Sequence, residues 1–304
     1  MYNEHFGLRE LPFGITPDTS FFFPHSSHQE ALNTLLVAAR TGEGFMKVVG
    51  EVGTGKTMLC RKFLDALDRE HFVTAYIPNP YLGPNTLLLA VAEELGIANP
   101  EGVNQHLLLK LITKSLLDSH VAGRRVVLCL DEAQAMPIET LEALRLLTNL
   151  ETERRKLLQV VLFGQPELDA KLDSPAIRQL KQRITFSYRL RPLHLCDVEF
   201  YLAHRLTVAG YRGPRLFRVD AVKRLFRGSG GVPRLVNVLA HKSLMAAFGE
   251  GVREIAGEHV RLAIADTEAA AARPSLRFRL PRLLATIAGM AALATAAVVW
   301  GYWS

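Results

Sequence analysis

The octapeptide Gly50-Glu51-Val52-Gly53-Thr54-Gly55-Lys56-Thr57 follows the apolar run Phe45–Val49 and precedes residues with helical apolar spacing. A glycine-rich turn between a strand and a helix leaves few folds open. Its backbone N–H groups must converge on phosphate oxygens, and the following helix N-terminus adds favourable potential for anions. Glycine is required because the chain passes too close to a ligand, and bends too sharply, for a Cβ at every position. All eight residues are therefore expected to bind nucleotide phosphates, with Lys56 reaching the β- and γ-phosphates and Thr57 ligating Mg²⁺.

The rest of the chain fits this constraint. Phe45–Val49, Val73–Ile77, Val126–Leu130, Leu158–Phe163 and Ile184–Leu190 read as five short apolar strands. Amphipathic spacing between them predicts helices over His28–Arg40, Lys56–Leu67, Asn85–Leu95, Gln105–His120 and Ile138–Glu153, with Ser26 and Ser27 as candidate N-caps. Strands alternating with longer helices imply an α/β fold with a parallel sheet. From Asp197 onward the pattern is helical only: Val198–Ala209, Asp220–Arg227, Pro233–Phe248 and Gly257–Ala271. Leu107–Leu111 and Leu146–Leu150 read as core faces of their helices.

A phosphate loop that hydrolyses its ligand needs a carboxylate for the metal and a group that activates water. Val126–Leu130 runs directly into Asp131-Glu132. Asp131 is placed to hold Mg²⁺ with Thr57, and Glu132 to act as the base or orienter for attacking water. The expected chemistry is Mg²⁺-dependent hydrolysis of ATP.

Charge separates two parts of the chain. The 304 residues carry 36 Lys+Arg and 30 Asp+Glu, a net +6, with a pI near 9.3. Arg273, Arg277, Arg279 and Arg282 supply four of those charges, leaving 32 basic against 30 acidic residues over 1–272. The body is nearly neutral, which argues against nucleic acid as a partner. Leu283–Trp303 then runs 21 residues without a charge, about 31 Å as a helix and enough to span a bilayer. Trp300, Tyr302 and Trp303 suit one interface and the arginines the cytoplasmic one. This predicts a single-pass inner-membrane protein with residues 1–282 in the cytoplasm. Met1–Thr16 is polar and mixed, unlike a secretory signal. Cys60, Cys129 and Cys196 read as reduced core residues. His25 with His28, and His194 with Cys196, lack further ligands at metal-binding spacing, so no zinc is expected.

A joint set of motifs gives the chain a family resemblance. Phe6-Gly7-Leu8-Arg9-Glu10-Leu11-Pro12-Phe13, Thr16-Pro17-Asp18, the loop at 50–57, Asp131-Glu132-Ala133-Gln134, Leu141-Glu142 with Leu150-Glu151-Thr152, Gly164-Gln165-Pro166-Glu167-Leu168, Arg178-Gln179-Leu180 with Gln182-Arg183-Ile184, and Gly231-Val232-Pro233-Arg234 together resemble the AAA+ ATPases of the ExeA/GspA group. That group serves type II secretion and type IV pilus assembly. The resemblance covers roughly residues 1–270 and implies a P-loop AAA+ αβα domain over 1–192 and a small all-helical lid over 193–271; the charge pattern adds a basic linker over 272–282 and a transmembrane helix over 283–303. The resemblance further implies that Gln165 meets the γ-phosphate or attacking water as sensor 1, and that Arg234 reads nucleotide from the lid as sensor 2. Arg183 is the implied arginine finger toward a neighbouring subunit, with Arg178 the second choice. Phe23 and Pro24 fall in the segment that borders adenine, where a core contact is an equal reading.

A homo-oligomer working on pilus or secretion envelope proteins is the implied assembly. Because the chain stops at Ser304 without a periplasmic peptidoglycan-binding region, it is more similar to the short members that serve mannose-sensitive haemagglutinin (MSHA) pilus biogenesis. Two other readings stand beside this one. The first is a DNA-associated AAA+ ATPase helping a transposase or initiator, and the second is a nucleotide-gated scaffold with negligible turnover, against which the intact Asp131-Glu132 pair argues.

Overall fold

The computed structural model describes residues 2–98, 104–151 and 156–271. Five strands, β1 (Phe45–Val49), β2 (Phe72–Ile77), β3 (Arg125–Leu130), β4 (Leu158–Gly164) and β5 (Phe186–Arg189), form one sheet in the order β2-β3-β4-β1-β5. Every pairing is parallel. The central register sets Val49 against Gly164, and Leu128 against Val160. The β1, β3 and β4 termini are thereby brought to one edge of the sheet, where open α/β folds bind their ligands.

Alternation along the strands divides the interior in two. Val126, Leu128 and Leu130 of β3 face one side with Val160 and Leu162 of β4, while Val127 and Cys129 face the other with Val161 and Phe163. The first side is covered by α4 (Pro84–Glu94), α5 (Gln105–Val121), α6 (Ile138–Thr148), α7 (Glu167–Leu172) and α8 (Arg178–Lys181). The second side is covered by α2 (Ser26–Thr41) and α3 (Lys56–Asp65). With both faces covered the central strands are largely apolar, and all seven residues of β4 are buried.

A third core lies among α9 (Leu195–Val208), α10 (Val219–Ser229), α11 (Pro233–Gly249), α12 (Gly257–Ala265) and α13 (Glu268–Ala271). Tyr2 and Phe6 of α1 (Tyr2–Phe6), then Leu8, Phe13 and Phe21, belong to this core and not to that of the sheet. The Tyr2 hydroxyl bonds His241 Nδ1 at 2.8 Å, and the Arg9 N–H donates to the Ala209 carbonyl at 2.8 Å. The N-terminal segment, grouped with the sheet by the sequence pattern, thus packs as part of the helical unit. Its buried aromatic residues are too far apart in sequence from their partners for local periodicity to reveal the contact.

Several boundaries also move. The helix expected to start at His28 starts at Ser26 with His25 as N-cap, and Ser27 instead accepts from the Arg191 N–H at 3.3 Å. The helix expected to reach Glu153 stops at Thr148, and Glu151 forms an antiparallel bridge with Lys156. The segment expected as one helix over Gly257–Ala271 breaks after Ala265. β5 is shorter than its apolar run suggests. Leu108 and Leu147 are buried in the core, whereas Leu107 and Leu146 on the same helices are each 46% exposed. Cys60 and Cys129 are buried, but Cys196 is exposed, because α9 buries the stripe Val198, Tyr201, Leu202, Arg205 and Leu206 and Cys196 lies off it.

Among the described residues no helix is long and apolar enough to cross a membrane. The predicted span at 283–303 and the basic segment before it lie outside the described residues.

Candidate nucleotide site

The loop at 50–57 joins β1 to α3 at the carboxyl edge of the sheet. Gly53 and Gly55 take left-handed φ values of +81° and +94°, which a side-chain-bearing residue would adopt only under strain. Space is equally restrictive at Gly53, where a Cβ would fall 2.7 Å from the Cβ of Arg234. The loop therefore touches the start of α11, and the Arg234 N–H donates to the Gly53 carbonyl at 3.1 Å. Arg234 itself is exposed and lines the adjoining cleft, which has a volume of ≈ 220 Å³.

Lys56 is buried, with its ammonium donating to the carbonyls of Gly50 at 2.8 Å and Glu51 at 3.1 Å. Burial pushes its pKa below the usual lysine value, and the nearby Glu132 and Asp131 charges work against that shift. The lysine is held by carbonyls of the loop that precedes it.

Asp131 ends β3 with only 2% of its surface exposed. The Thr57 hydroxyl donates to its Oδ2 at 2.5 Å and the Glu132 N–H to its Oδ1 at 2.9 Å. Burial raises the Asp131 pKa, opposed by those two hydrogen bonds. A hydroxyl oxygen and an incompletely compensated carboxylate side by side form a hard-oxygen donor pair suited to Mg²⁺, which takes few protein ligands and keeps its remaining positions for water and phosphate. Among the described residues Glu132 alone combines a side chain with positive φ, at +53°. Such backbone strain persists where surrounding contacts fix it, commonly at functional sites.

The Glu132 carboxylate is gripped through Oε2, which accepts from Gln134 Nε2 at 2.5 Å and from Gln165 Nε2 at 3.2 Å. Gln165 follows the end of β4, so the predicted polar residue beyond that strand does reach the predicted base. The structure thus brings together residues 50–57, Asp131, Glu132, Gln165 and Arg234. Arg183 and Arg178 do not line this cleft. Arg183 is half-buried and donates to Thr148 Oγ1 at 3.4 Å, and Arg178 is exposed at the start of α8.

Other contributors had no role assigned from sequence. His28 is buried against the loop, its Nε2 bonded to the Thr54 carbonyl at 2.8 Å. Burial pushes its pKa down to about 4, so it is neutral at physiological pH and Nε2–H is the donor. Asp197 Oδ2 accepts from His25 Nε2 and from the His194 N–H, each at 3.0 Å, joining the starts of α2 and α9. Arg205 is 5% exposed; it donates to the Pro12 carbonyl at 2.5 Å and lies 4.6 Å from the Phe21 ring centroid. His25, His28 and Arg205 line the cleft together with Phe23. A sequence signal existed for Arg205, which interrupts the apolar stripe Val198, Tyr201, Leu202 and Leu206 at a buried position.

Three comparisons agree with this geometry. Residues 39–172 match the AAA domain family. The chain is 45% identical over 263 residues to General secretion pathway protein A of Aeromonas hydrophila, an alignment covering 86% of this chain and 48% of that protein. The chain therefore spans about half the length of this curated relative. Among solved structures it is similar to Aeropyrum pernix ORC2 (TM-score 0.61, 17% identity, 83% of this chain and 72% of that one). Drosophila ORC bound to DNA aligns at TM-score 0.62 and 18% identity over 85% and 64% of the respective chains. At such identities the likeness extends to the fold alone, a parallel sheet with a phosphate loop followed by helices. Sequence motifs, fold and relatives converge: residues 39–172 form an AAA domain, in a chain similar to the ExeA/GspA group.

Proposed function

We propose that the chain is a Mg²⁺-dependent ATPase that works as a membrane-anchored homo-oligomer in type II secretion or type IV pilus assembly, of the MSHA kind. The observation that carries the enzymatic part is the Thr57–Asp131 contact of 2.5 Å beside Glu132. It supports reading Thr57 and Asp131 as a metal-binding oxygen pair, with Glu132 as the base near Lys56. Mg²⁺ would be held by Thr57 and Asp131 and would neutralise charge on the phosphates. Lys56 would bind the β- and γ-phosphates, Gln165 would orient water with Glu132, and Arg234 would sense the nucleotide from the helical unit. Because that unit and the N-terminal segment share one core, nucleotide bound between it and the loop has a route for changing their angle as a lid. Work would pass to an envelope protein partner. The test is phosphate release from ATP by the purified chain: release that requires Mg²⁺ and stops on chelation is expected, and release unaffected by chelation would contradict the metal assignment.

Membrane attachment rests on the uncharged run 283–303 and the arginines before it. Deleting residues 273–304 should move the protein from carbonate-washed membranes to the soluble fraction while ATP binding persists. Membrane retention of the truncated protein would exclude this segment as the anchor.

A further inference from the structure

Glu132 has two carboxylate oxygens, and the structure treats them differently. Oε2 accepts both amide hydrogen bonds, from Gln134 and from Gln165. The Gln134 amide is itself oriented without ambiguity. The Gln165 backbone N–H lies 2.9 Å from Gln134 Oε1, and since an N–H can only donate, the atom facing it must be the oxygen. The Gln134 NH₂ group is therefore directed at Glu132.

The clamp is fixed from both sides. Lys171 of α7 donates to the main-chain carbonyls of Gln134 at 2.5 Å and Met136 at 2.8 Å, pinning the turn after β3. Gly164 leaves room for the side chain, because a Cβ there would lie 3.2 Å from Gln134 Oε1 and 2.8 Å from Leu168 Cδ2. Gln134 is thus a second link, beside the direct Gln165–Glu132 bond, between the base that follows β3 and the turn beyond β4. That same turn leads through α7 and α8 to Arg178 and Arg183.

Resting on the ATPase reading above, we infer that Gln134 is a positioning residue for hydrolysis: it holds Glu132 Oε2 so that Oε1 is presented to the attacking water. A carboxylate with one oxygen tied down has lost rotational freedom and keeps a defined direction for accepting a proton, which is where a general base gains its efficiency. Gln134 does not line the nucleotide cleft, and it acts through Glu132.

The test uses the full chain and compares Gln134→Ala, Gln134→Glu and Glu132→Gln. Gln134→Ala should lower kcat on the order of 10-fold, a part of the ~10²- to 10⁴-fold contributed by a general base, with KM and ATP affinity unchanged. Gln134→Glu is the discriminating variant. It keeps the side-chain length and the oxygen that accepts from the Gln165 N–H, but it turns an acceptor instead of a donor toward Glu132. If Gln134 positions Glu132, kcat of Gln134→Glu falls at least as far as that of Gln134→Ala. If the side chain only braces the turn, Gln134→Glu keeps wild-type kcat while Gln134→Ala loses activity, and the inference is overturned. Thermal melting and ATP affinity confirm that each variant is folded. Glu132→Gln separates the two levels: full turnover in that variant would defeat the ATPase reading itself, whereas loss of turnover there alongside a wild-type Gln134→Glu defeats only the role of Gln134.

Discussion

Replacing Arg183 by Ala is expected to slow ATP turnover by on the order of 10³-fold or more in the assembled protein, the range attributed to an arginine supplied across an interface. The placement of Arg183 makes the expectation specific. Within its own chain the guanidinium contacts Thr148 and does not line the nucleotide cleft. A contribution to phosphate chemistry is then expected at a neighbour's cleft. A guanidinium suits that task because its fixed fork of donors matches compact phosphate charge and it remains ionised at all relevant pH values. Mixing Arg183→Ala subunits with Lys56→Ala subunits, each inactive alone, should restore part of the activity. The mixed interface pairs an intact phosphate loop with an intact Arg183. Co-assembly without any rescue would assign Arg183 a role inside its own subunit.

Local chemistry made much of the site legible in sequence. The loop at 50–57 carries Gly53 and Gly55 where φ is positive and its lysine where a helix begins, so motif and geometry coincide. Asp131 and Glu132 are equally direct, because an apolar strand that ends in two acids can present them only at the edge of a parallel sheet. The five strands were visible as apolar runs for the same reason, since both faces of the sheet are covered.

Long-range contacts were not legible. Nothing periodic in residues 2–21 shows that Phe6, Phe13 and Phe21 complete a core built from residues near 200–260. His28 read as the start of a helix with no metal role, whereas its partner is the Thr54 carbonyl, 26 positions away. Gln134 stood inside a quoted motif without a task, because its partner Gln165 reaches it only through the pairing of β3 with β4.

Replacing Glu132 by Gln is expected to cost on the order of 10² to 10⁴ in turnover, the contribution of a positioned general base, while ATP and Mg²⁺ still bind. The amide retains the shape of the carboxylate but cannot take a proton from water. The phosphate contacts of the loop, the Lys56 ammonium and the Thr57–Asp131 pair are all unaltered. Lys56→Ala should act earlier, removing the buried ammonium beside the phosphates and weakening ATP binding itself. The two variants therefore separate binding from chemistry within one site.

The most direct measurement is of bound nucleotide and released phosphate in the same Glu132→Gln sample, beside the wild type, with ATP and Mg²⁺ present. The account predicts ATP retained on the protein at wild-type affinity with phosphate release nearly abolished. Phosphate release at the wild-type rate would contradict it, since hydrolysis would then proceed without the base that the end of β3 supplies.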